Sequence, residues 1–164
     1  TSDALTEDAL LHAYDIMKKE CKFDVIVLLF ANNPAISVKL IQKGISKLKN
    51  EESYDSAFSV CKYNMFSPTR ARKLENDEIK PFVDLSVFES VSSIRSSQGD
   101  VYFCDLSVQV IRPRVFENMW NGQLPFRWQG KKSFPLINTY GFDIDEKWQM
   151  VAIEAWLQEY WYGQ

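Results

Sequence analysis

The sequence predicts an α/β fold, because segments with helical periodicity alternate along the chain with apolar runs typical of buried strands. A helix is predicted from a cap at Thr6 to about Lys19. The run DVIVLLF at 24–30 is rich in β-branched residues, which is typical of a strand covered on both faces in a parallel sheet. A helix to about Lys49 and a strand near 57–62 repeat this order.

Both predicted helices carry an apolar face that a sheet could cover. In the first helix, Leu10, Tyr14 and Met17 share one face. In the second, apolar residues recur every three or four positions and lysines occupy the other face. The residues expected to be buried in the second helix are Val38, Ile41, Ile45 and Leu48.

The middle of the chain interrupts this order. The segment RARKLENDEIKPF predicts a β-hairpin with its turn at Glu75–Glu78. The serine-rich segment LSVFESVSSIRSSQG that follows predicts irregular, mobile structure. We therefore expect one domain over residues 1–164, with a small hairpin and a mobile arm inserted at about 66–98.

The last third of the chain predicts a return to strands and helices. DVYFCDLSVQVI reads as a strand, Pro113 begins a short helix, and FPLINTYGFDI predicts another strand. A final helix is expected from about Glu146 to Tyr160. Its predicted buried stripe consists of Trp148, Val151, Ala152, Ala155 and Trp156.

Composition excludes several classes of function. The 164 residues are 46% hydrophobic and carry a formal charge of −3, so overall charge does not favour a nucleic-acid partner. No apolar run approaches the roughly 20 residues that span a bilayer. The three isolated cysteines indicate a reduced, cytoplasmic protein. A single histidine, His12, disfavours a His-based metal site or a Ser-His-Asp triad.

Asp143 and Asp145 are the candidate metal ligands. Residues two apart on a strand point to the same side, and α/β folds place ligands where strands end. Two carboxylates suit Mg²⁺, which also uses substrate phosphates as ligands. The alternative is that Asp145 only caps the last helix and Asp143 only ends a strand.

A basic cluster lies at the start of the hairpin. Alternation would place Arg70 and Arg72 on one strand face, where Arg70 could bind a carboxylate or phosphate. The alternative is a solvated hairpin edge protected by its charge.

Two further segments could contribute to a binding site. Asn32 and Asn33 follow a strand and precede a helix, so their amides could bind a ligand, although ordinary turn chemistry explains them equally well. Gly99 permits close backbone approach, and Tyr102 could line a pocket. The alternative is a simple turn into a core strand.

The order of these segments resembles the cytidylyltransferases that activate nonulosonic acids, namely the CMP-sialic acid synthetases and, more closely, the CMP-pseudaminic acid synthetases. The resemblance spans the chain from Ser2 to about Leu157, and its last motif is the most specific. The segments that carry it are VIVLLFANNPAIS, SYDSAFSVCKY, FSPTRARKL, GDVYFCD and FDIDEKWQMVAIEAW.

This resemblance implies a Rossmann-like nucleotidyltransferase sheet with helices on both faces, a homodimer, and transfer of CMP from CTP to an acidic 2-keto sugar with Mg²⁺ and release of pyrophosphate. The sugar's anomeric hydroxyl would attack the α-phosphorus. By position, Asp143 and Asp145 match the family's metal-binding aspartates and Arg70 matches a catalytic basic residue. Asn32 and Asn33 replace a Thr-Ser pair on the sugar side.

The sequence also departs from the family. The first strand and the glycine-rich basic loop that cradles the CTP phosphates have no counterpart here, and the chain opens directly on a helix. We interpret it as the C-terminal portion of a cytidylyltransferase-like domain, inactive by itself. Phe30 stands where the sialate branch has a sugar-contacting Gln, and the Arg-Gln pair expected before GDVY is missing, with Arg95 nearby. Two alternatives stay open, a non-catalytic interaction or oligomerisation domain and another sugar nucleotidyltransferase.

Overall fold

The computed structural model describes residues 5–34, 36–88, 90–141 and 143–160. The chain divides into two compact units. The first contains the described residues up to Val60 and those from Cys104 onward, and the second contains Cys61–Phe103. The predicted hairpin and arm at 66–98 fall within the second unit.

The helices and strands follow the predicted order. The helices are α1 Thr6–Glu20, α2 Val38–Asn50, α3 Pro113–Glu117 and α4 Lys147–Tyr160. The strands are β1 Ile26–Leu28, β2 Ser56–Lys62, β3 Arg72–Glu75, β4 Glu78–Pro81, β5 Tyr102–Ile111 and β6 Ser133–Asn138. β1, β5, β2 and β6 form a four-stranded sheet in that order, and β3 pairs with β4 in a separate hairpin.

Helices cover both faces of the larger sheet, as predicted. Neighbouring strand residues enter different cores because side chains alternate along a strand. In β2, Phe58 packs on the side of α1 and α3, whereas Ala57 packs on the side of α2. The α1–α3 core consists of Tyr14, Phe58, Ile111, Val115, Phe116, Met119 and Trp128. The α2 core consists of Leu48, Ala57, Val108, Val110 and Leu136.

The first strand is shorter than predicted, and its pairing differs. β1 pairs antiparallel with β5, with Val27 opposite Val110, so the parallel pairing suggested by its apolar run is wrong. The expected cover on both faces is present, because Ile26 and Leu28 pack on the α1–α3 core while Val25 and Val27 pack on the α2 core. A strand covered on both faces has the same composition whichever way its neighbour runs.

The ends and faces of the helices correct several predictions. Thr6 is the first residue of α1, and the cap position is Leu5, which makes no side-chain cap bond. In α2 only Leu48 of the predicted face is fully buried, Ile41 and Ile45 are half-buried, and Val38 is 59% exposed. In α4, Trp148 and Val151 are each 69% exposed and Ala155 is exposed, whereas Ala152 and Trp156 are half-buried and Ile153 is buried. The covered face of α4 therefore overlaps the predicted stripe only at Ala152 and Trp156.

The hairpin of the second unit confirms the predicted turn. β3 and β4 pair in register, with Glu75 opposite Glu78, and Asn76 and Asp77 both have positive φ, at 52° and 62°. Two consecutive left-handed residues are the geometry of a tight two-residue hairpin turn, which Asn and Asp tolerate. Arg70, however, ends a short 3₁₀ turn, Pro68–Arg70, so it does not share a strand face with Arg72.

Asp55 anchors the start of β2. Its carboxylate accepts hydrogen bonds from Arg114 Nε at 2.9 Å and from the backbone amides of Lys131 and Lys132 at 2.9 and 3.1 Å. Burial acts to raise the pKa of Asp55, but these three donors together outweigh it and hold the pKa below its ordinary value. Asp55 is therefore a charged structural hub between β2, α3 and the loop before β6.

Asp55→Asn is expected to lower the free energy of unfolding by roughly 1–3 kcal/mol at pH 7, because hydrogen bonds to a charged carboxylate are lost. A depressed folded-state pKa stabilises the fold above the unfolded-state pKa of about 3.9 and loses that contribution as the pH falls further. The difference from wild type should therefore shrink below about pH 4. Urea unfolding of both proteins from pH 7 to pH 3 measures this difference. Asp24→Asn, which changes an exposed aspartate, is the control. A difference independent of pH would contradict the ionic role.

None of the helices formed by the described residues combines the length and apolar character that crossing a bilayer would require.

Candidate functional site

The structure places Asp143 and Asp145 in an irregular segment between β6 and α4. β6 ends at Asn138, so the predicted strand through Ile144 is wrong, and the strand alternation that made the two carboxylates converge does not apply. Asp145 is exposed and Asp143 is half-buried. Their arrangement depends instead on the contacts that this segment makes with the loop after β1.

Asn32 joins that loop to the aspartate segment. Its backbone carbonyl accepts a hydrogen bond from the Ile144 amide at 2.8 Å, and its side-chain Nδ2 donates to Asp145 Oδ1 at 3.4 Å. The side chain of Asn32 is exposed, so a ligand can reach both groups. Two of the residues predicted from separate motifs, 113 positions apart, thus come together at one place.

The start of α4 lies beside Asp145. Gln149 Oε1 accepts hydrogen bonds from the backbone amides of Asp145 and Glu146, at 2.7 and 2.5 Å. This side chain satisfies amides that a helix start leaves without helical partners. Because Gln149 satisfies these two amides, the Asp145 carboxylate is not needed for them, and it accepts a hydrogen bond from Asn32 instead.

Asn33, in contrast, faces the interior. It is 1% exposed, its Nδ2 donates to the Asp105 carbonyl at 2.7 Å, and its Oδ1 accepts from Ser107 Oγ at 3.1 Å. Of the Asn32–Asn33 pair, Asn32 is the residue that a ligand can contact. Substrate binding by Asn33 stays a prediction without support from this geometry.

A buried polar cluster lies beneath the two segments, and we call it the Asp105 cluster. Asp105 is 6% exposed, and its carboxylate accepts hydrogen bonds from Ser59 Oγ, from the Ser107 amide at 2.9 Å and from Asn138 Nδ2 at 3.2 Å. Strands β2, β5 and β6 each contribute a donor. The members of the cluster are Asn33, Ser59, Asp105, Ser107 and Asn138.

The backbone of β5 is irregular inside this cluster. Leu106 has φ of 58°, which is unusual for a branched residue and costs free energy. Regular alternation would place Leu106 with Val108, but it packs against the α1–α3 core instead. Gln109 Nε2 donates to the Leu106 carbonyl at 3.2 Å, and Gln109 Oε1 accepts from Trp128 Nε1 at 2.6 Å. Surrounding contacts therefore hold the strained residue in place.

Arg70 and Tyr102 belong to the second unit. Arg70 is exposed, and its Nε donates to Gln98 Oε1 at 3.1 Å. Tyr102 is 47% exposed at the start of β5. Arg72, next to Arg70 in the predicted basic cluster, donates to the carbonyls of Thr69 and Ala71 and so stabilises the turn that carries it.

The second unit also contains an open cavity of about 700 Å³. Arg95 lines it beside Asp100, whose pKa is held below its ordinary value chiefly by Lys62, then by Asn64, with a smaller contribution from Arg95. Gly99 has φ of 69° and open space where a side chain would stand. The cavity is lined by Asn64, Ile94, Arg95, Ser96, Gly99 and Asp100.

The residues at the Asn32–Asp145 contact are of the type that Mg²⁺ requires. Within the described ranges no group of three or more His, Cys, Asp or Glu side chains could hold a metal ion. The contact itself offers the Asp145 carboxylate and the Asn32 amide, both of which can present oxygen, and Asp143 lies two residues before Asp145 in the chain. Mg²⁺ in proteins is commonly bound by one or two carboxylates, with water and phosphate oxygens completing its shell. In chemical type, these groups are ones that Mg²⁺ uses.

Sequence patterns missed the Asp105 cluster. Asp105, Ser107 and Gln109 alternate with apolar residues in YFCDLSVQVI, a pattern that usually places polar residues toward solvent. In the structure all three are buried. The one indication in the sequence was an acidic residue inside a run otherwise typical of a core strand.

No protein-family model matches the sequence, and no curated protein matches it. Among solved structures, the chain is similar to a CMP:2-keto-3-deoxy-manno-octonic acid synthetase complexed with CTP. The TM-score is 0.57 at 12% sequence identity, over 96% of this chain and 70% of that one. The chain therefore has a mixed α/β fold like that of this synthetase.

Proposed function

We propose that this protein takes part in Mg²⁺-dependent transfer of CMP from CTP to an acidic 2-keto sugar, with release of pyrophosphate. The observation that carries the proposal is the contact between Asn32 and Asp145, which joins the loop after β1 to the DID segment. Two motifs of the cytidylyltransferase resemblance thereby form one exposed, oxygen-rich position on a nucleotidyltransferase fold.

Asp143 and Asp145 would hold the metal ion, and Asn32 would contribute its amide oxygen or orient Asp145. When bound, Mg²⁺ supplies neutralisation of the negative charge on the triphosphate. The protein's own part is to fix the carboxylates relative to the loop after β1, which the Ile144–Asn32 hydrogen bond does at 2.8 Å. Such catalysis relies on positioning and electrostatics more than on proton transfer.

Arg70 and Tyr102 are proposed to bind the acidic sugar, with Arg95 as a second available guanidinium. A guanidinium binds a carboxylate in a fixed planar geometry, and Arg70 and Arg95 both offer one. Arg95 lines the open cavity, whereas Arg70 is steadied by Gln98. Tyr102 offers a partly exposed ring for the sugar's apolar surface.

The experiment uses the protein as its gene encodes it, incubated with CTP, Mg²⁺ and 3-deoxy-manno-octulosonic, sialic or pseudaminic acid in turn. We expect pyrophosphate and a CMP-sugar to form with at least one sugar, and neither to form when Mg²⁺ or the sugar is omitted. Calorimetry measures CTP–Mg²⁺ binding in parallel. If no sugar reacts and CTP–Mg²⁺ does not bind, a non-catalytic interaction domain becomes the better explanation. A homodimer is expected from the same resemblance, and light scattering tests it separately.

A further inference from the structure

The Asp105 cluster contacts both segments of the proposed metal site, the loop after β1 and the segment between β6 and α4. From the first segment, Asn33 bonds to the Asp105 carbonyl and to Ser107 Oγ. From the second, Gly141 lies so close that a Cβ there would stand 2.6 Å from Ser107 Oγ and 2.7 Å from Asp105 Cγ. Only a glycine allows this approach without displacing the carboxylate.

The contacts continue directly into the site. Asn33 adjoins Asn32, whose carbonyl and side chain meet Ile144 and Asp145. Gly141 lies two residues before Asp143. A displacement of Asp105 would therefore move both the asparagine loop and the aspartate segment.

We propose that Asp105 is a positioning residue that fixes the separation between the Asn32 loop and the Asp143–Asp145 segment. Its carboxylate accepts a hydrogen bond from the Ser107 amide and so stabilises the strained backbone at Leu106. That backbone conformation directs the Asp105 carbonyl toward Asn33. The inference rests on the proposed function for its effect on CTP, but its effect on the two segments stands independently.

An aspartate is unusual at a buried position such as that of Asp105. A buried carboxylate is costly unless hydrogen bonds compensate it, and an apolar side chain of similar volume avoids that cost. Here three strands supply donors to Asp105. These directional hydrogen bonds fix the relative positions of the strands more narrowly than apolar packing would. A site built from two separate segments requires such fixed positions.

Asp105→Ala and Asp105→Asn form the first test. Asparagine keeps an oxygen for Ser59 and Ser107, and the Asn138 amide can turn to accept from its nitrogen, whereas alanine removes both side-chain acceptors and leaves only the backbone carbonyl. We expect alanine to weaken Mg²⁺–CTP binding about 10- to 100-fold and asparagine to retain most of it. Exchange of the Ile144 amide proton, followed by NMR, should speed up about tenfold with alanine only.

A matched pair of serines in β2 separates positioning from general stability. Ser56 and Ser59 are both fully buried. Ser59 Oγ donates to Asp105, whereas Ser56 Oγ donates to the Gln129 carbonyl at 2.6 Å and is hydrogen-bonded to Ser133 Oγ. Both alanine variants should unfold at similarly lower temperatures, but only Ser59→Ala should speed Ile144 exchange and weaken binding.

The outcomes distinguish this inference from the proposed function. Faster Ile144 exchange in Asp105→Ala and Ser59→Ala, but not in Ser56→Ala, supports the positioning role even if wild-type protein binds no Mg²⁺–CTP, a result that would sink the proposed function alone. Unchanged Ile144 exchange in the two cluster variants overturns the positioning role. So does equal acceleration in Ser56→Ala, because general loss of stability would then explain the effect. If Asp105→Ala fails to fold, the serine pair decides.

Discussion

Asp145→Ala is expected to lower the rate of CMP transfer about 10²–10³-fold, the loss typical of removing one electrostatic group from an active site. The side chain contacts Asn32 and lies at the start of α4, so its removal takes away one of the two carboxylates proposed to hold Mg²⁺. The site would then have to bind the metal through Asp143 alone. Pyrophosphate release measures the rate, and calorimetry measures CTP–Mg²⁺ affinity.

Glu154→Ala is the control for this substitution. Glu154 is also an exposed acid, and it lies on α4 about two turns further along. It carries the same charge without contact to the Asn32 loop, so its removal should leave turnover within about twofold of wild type. Equal turnover in wild type and Asp145→Ala would show that Asp145 only borders the helix, the reading that its sequence position also allowed.

Much of the fold follows from the sequence because its local patterns agree with its tertiary packing. The turn residues Asn76 and Asp77 fix the hairpin where it was predicted, and Pro113 begins α3. The limits of α2 depend on a regular apolar face. Such features are decided within a few residues of chain, so no knowledge of distant partners is needed.

Features that depend on residues far apart in the sequence, such as strand pairing, could not be predicted from local patterns. The run at 24–30 indicated a strand covered on both faces, and nothing in it specified an antiparallel partner. β6 ends at Asn138 although apolar residues continue beyond it, and the chain there packs on the Asp105 cluster through Gly141. The pairing of β1 and the end of β6 both depend on tertiary packing, which a local sequence pattern does not contain.

The candidate site was also predicted only in part from the sequence. Motif order brought Asn32 and Asp145 forward as candidates, and the structure places them in contact. The reasoning behind the aspartates was nevertheless wrong, since the segment is not a strand. Asp105 stayed hidden because a buried carboxylate is identified by its donors, and those donors come from strands far apart in the sequence.

Phe58→Ala is expected to cost about 3–5 kcal/mol in the free energy of unfolding, the range for truncating a buried phenylalanine. Phe58 is 1% exposed in the α1–α3 core, where residues of two helices and two strands surround it. The vacated volume cannot close easily, because Val115 and Phe116 are held by α3 and Ile111 by β5. Urea unfolding should show a lower midpoint with an unchanged dependence on urea.

Trp148→Ala provides the matched comparison, because it removes a larger aromatic side chain that sequence periodicity assigned to the core. The structure leaves Trp148 69% exposed, so its removal should change the free energy of unfolding by no more than about 0.5 kcal/mol. A loss from Trp148→Ala as large as that from Phe58→Ala would mean that the apolar stripe of α4 is buried after all. The pair thus measures whether burial, and not apolar character by itself, decides which aromatic residues hold this fold together.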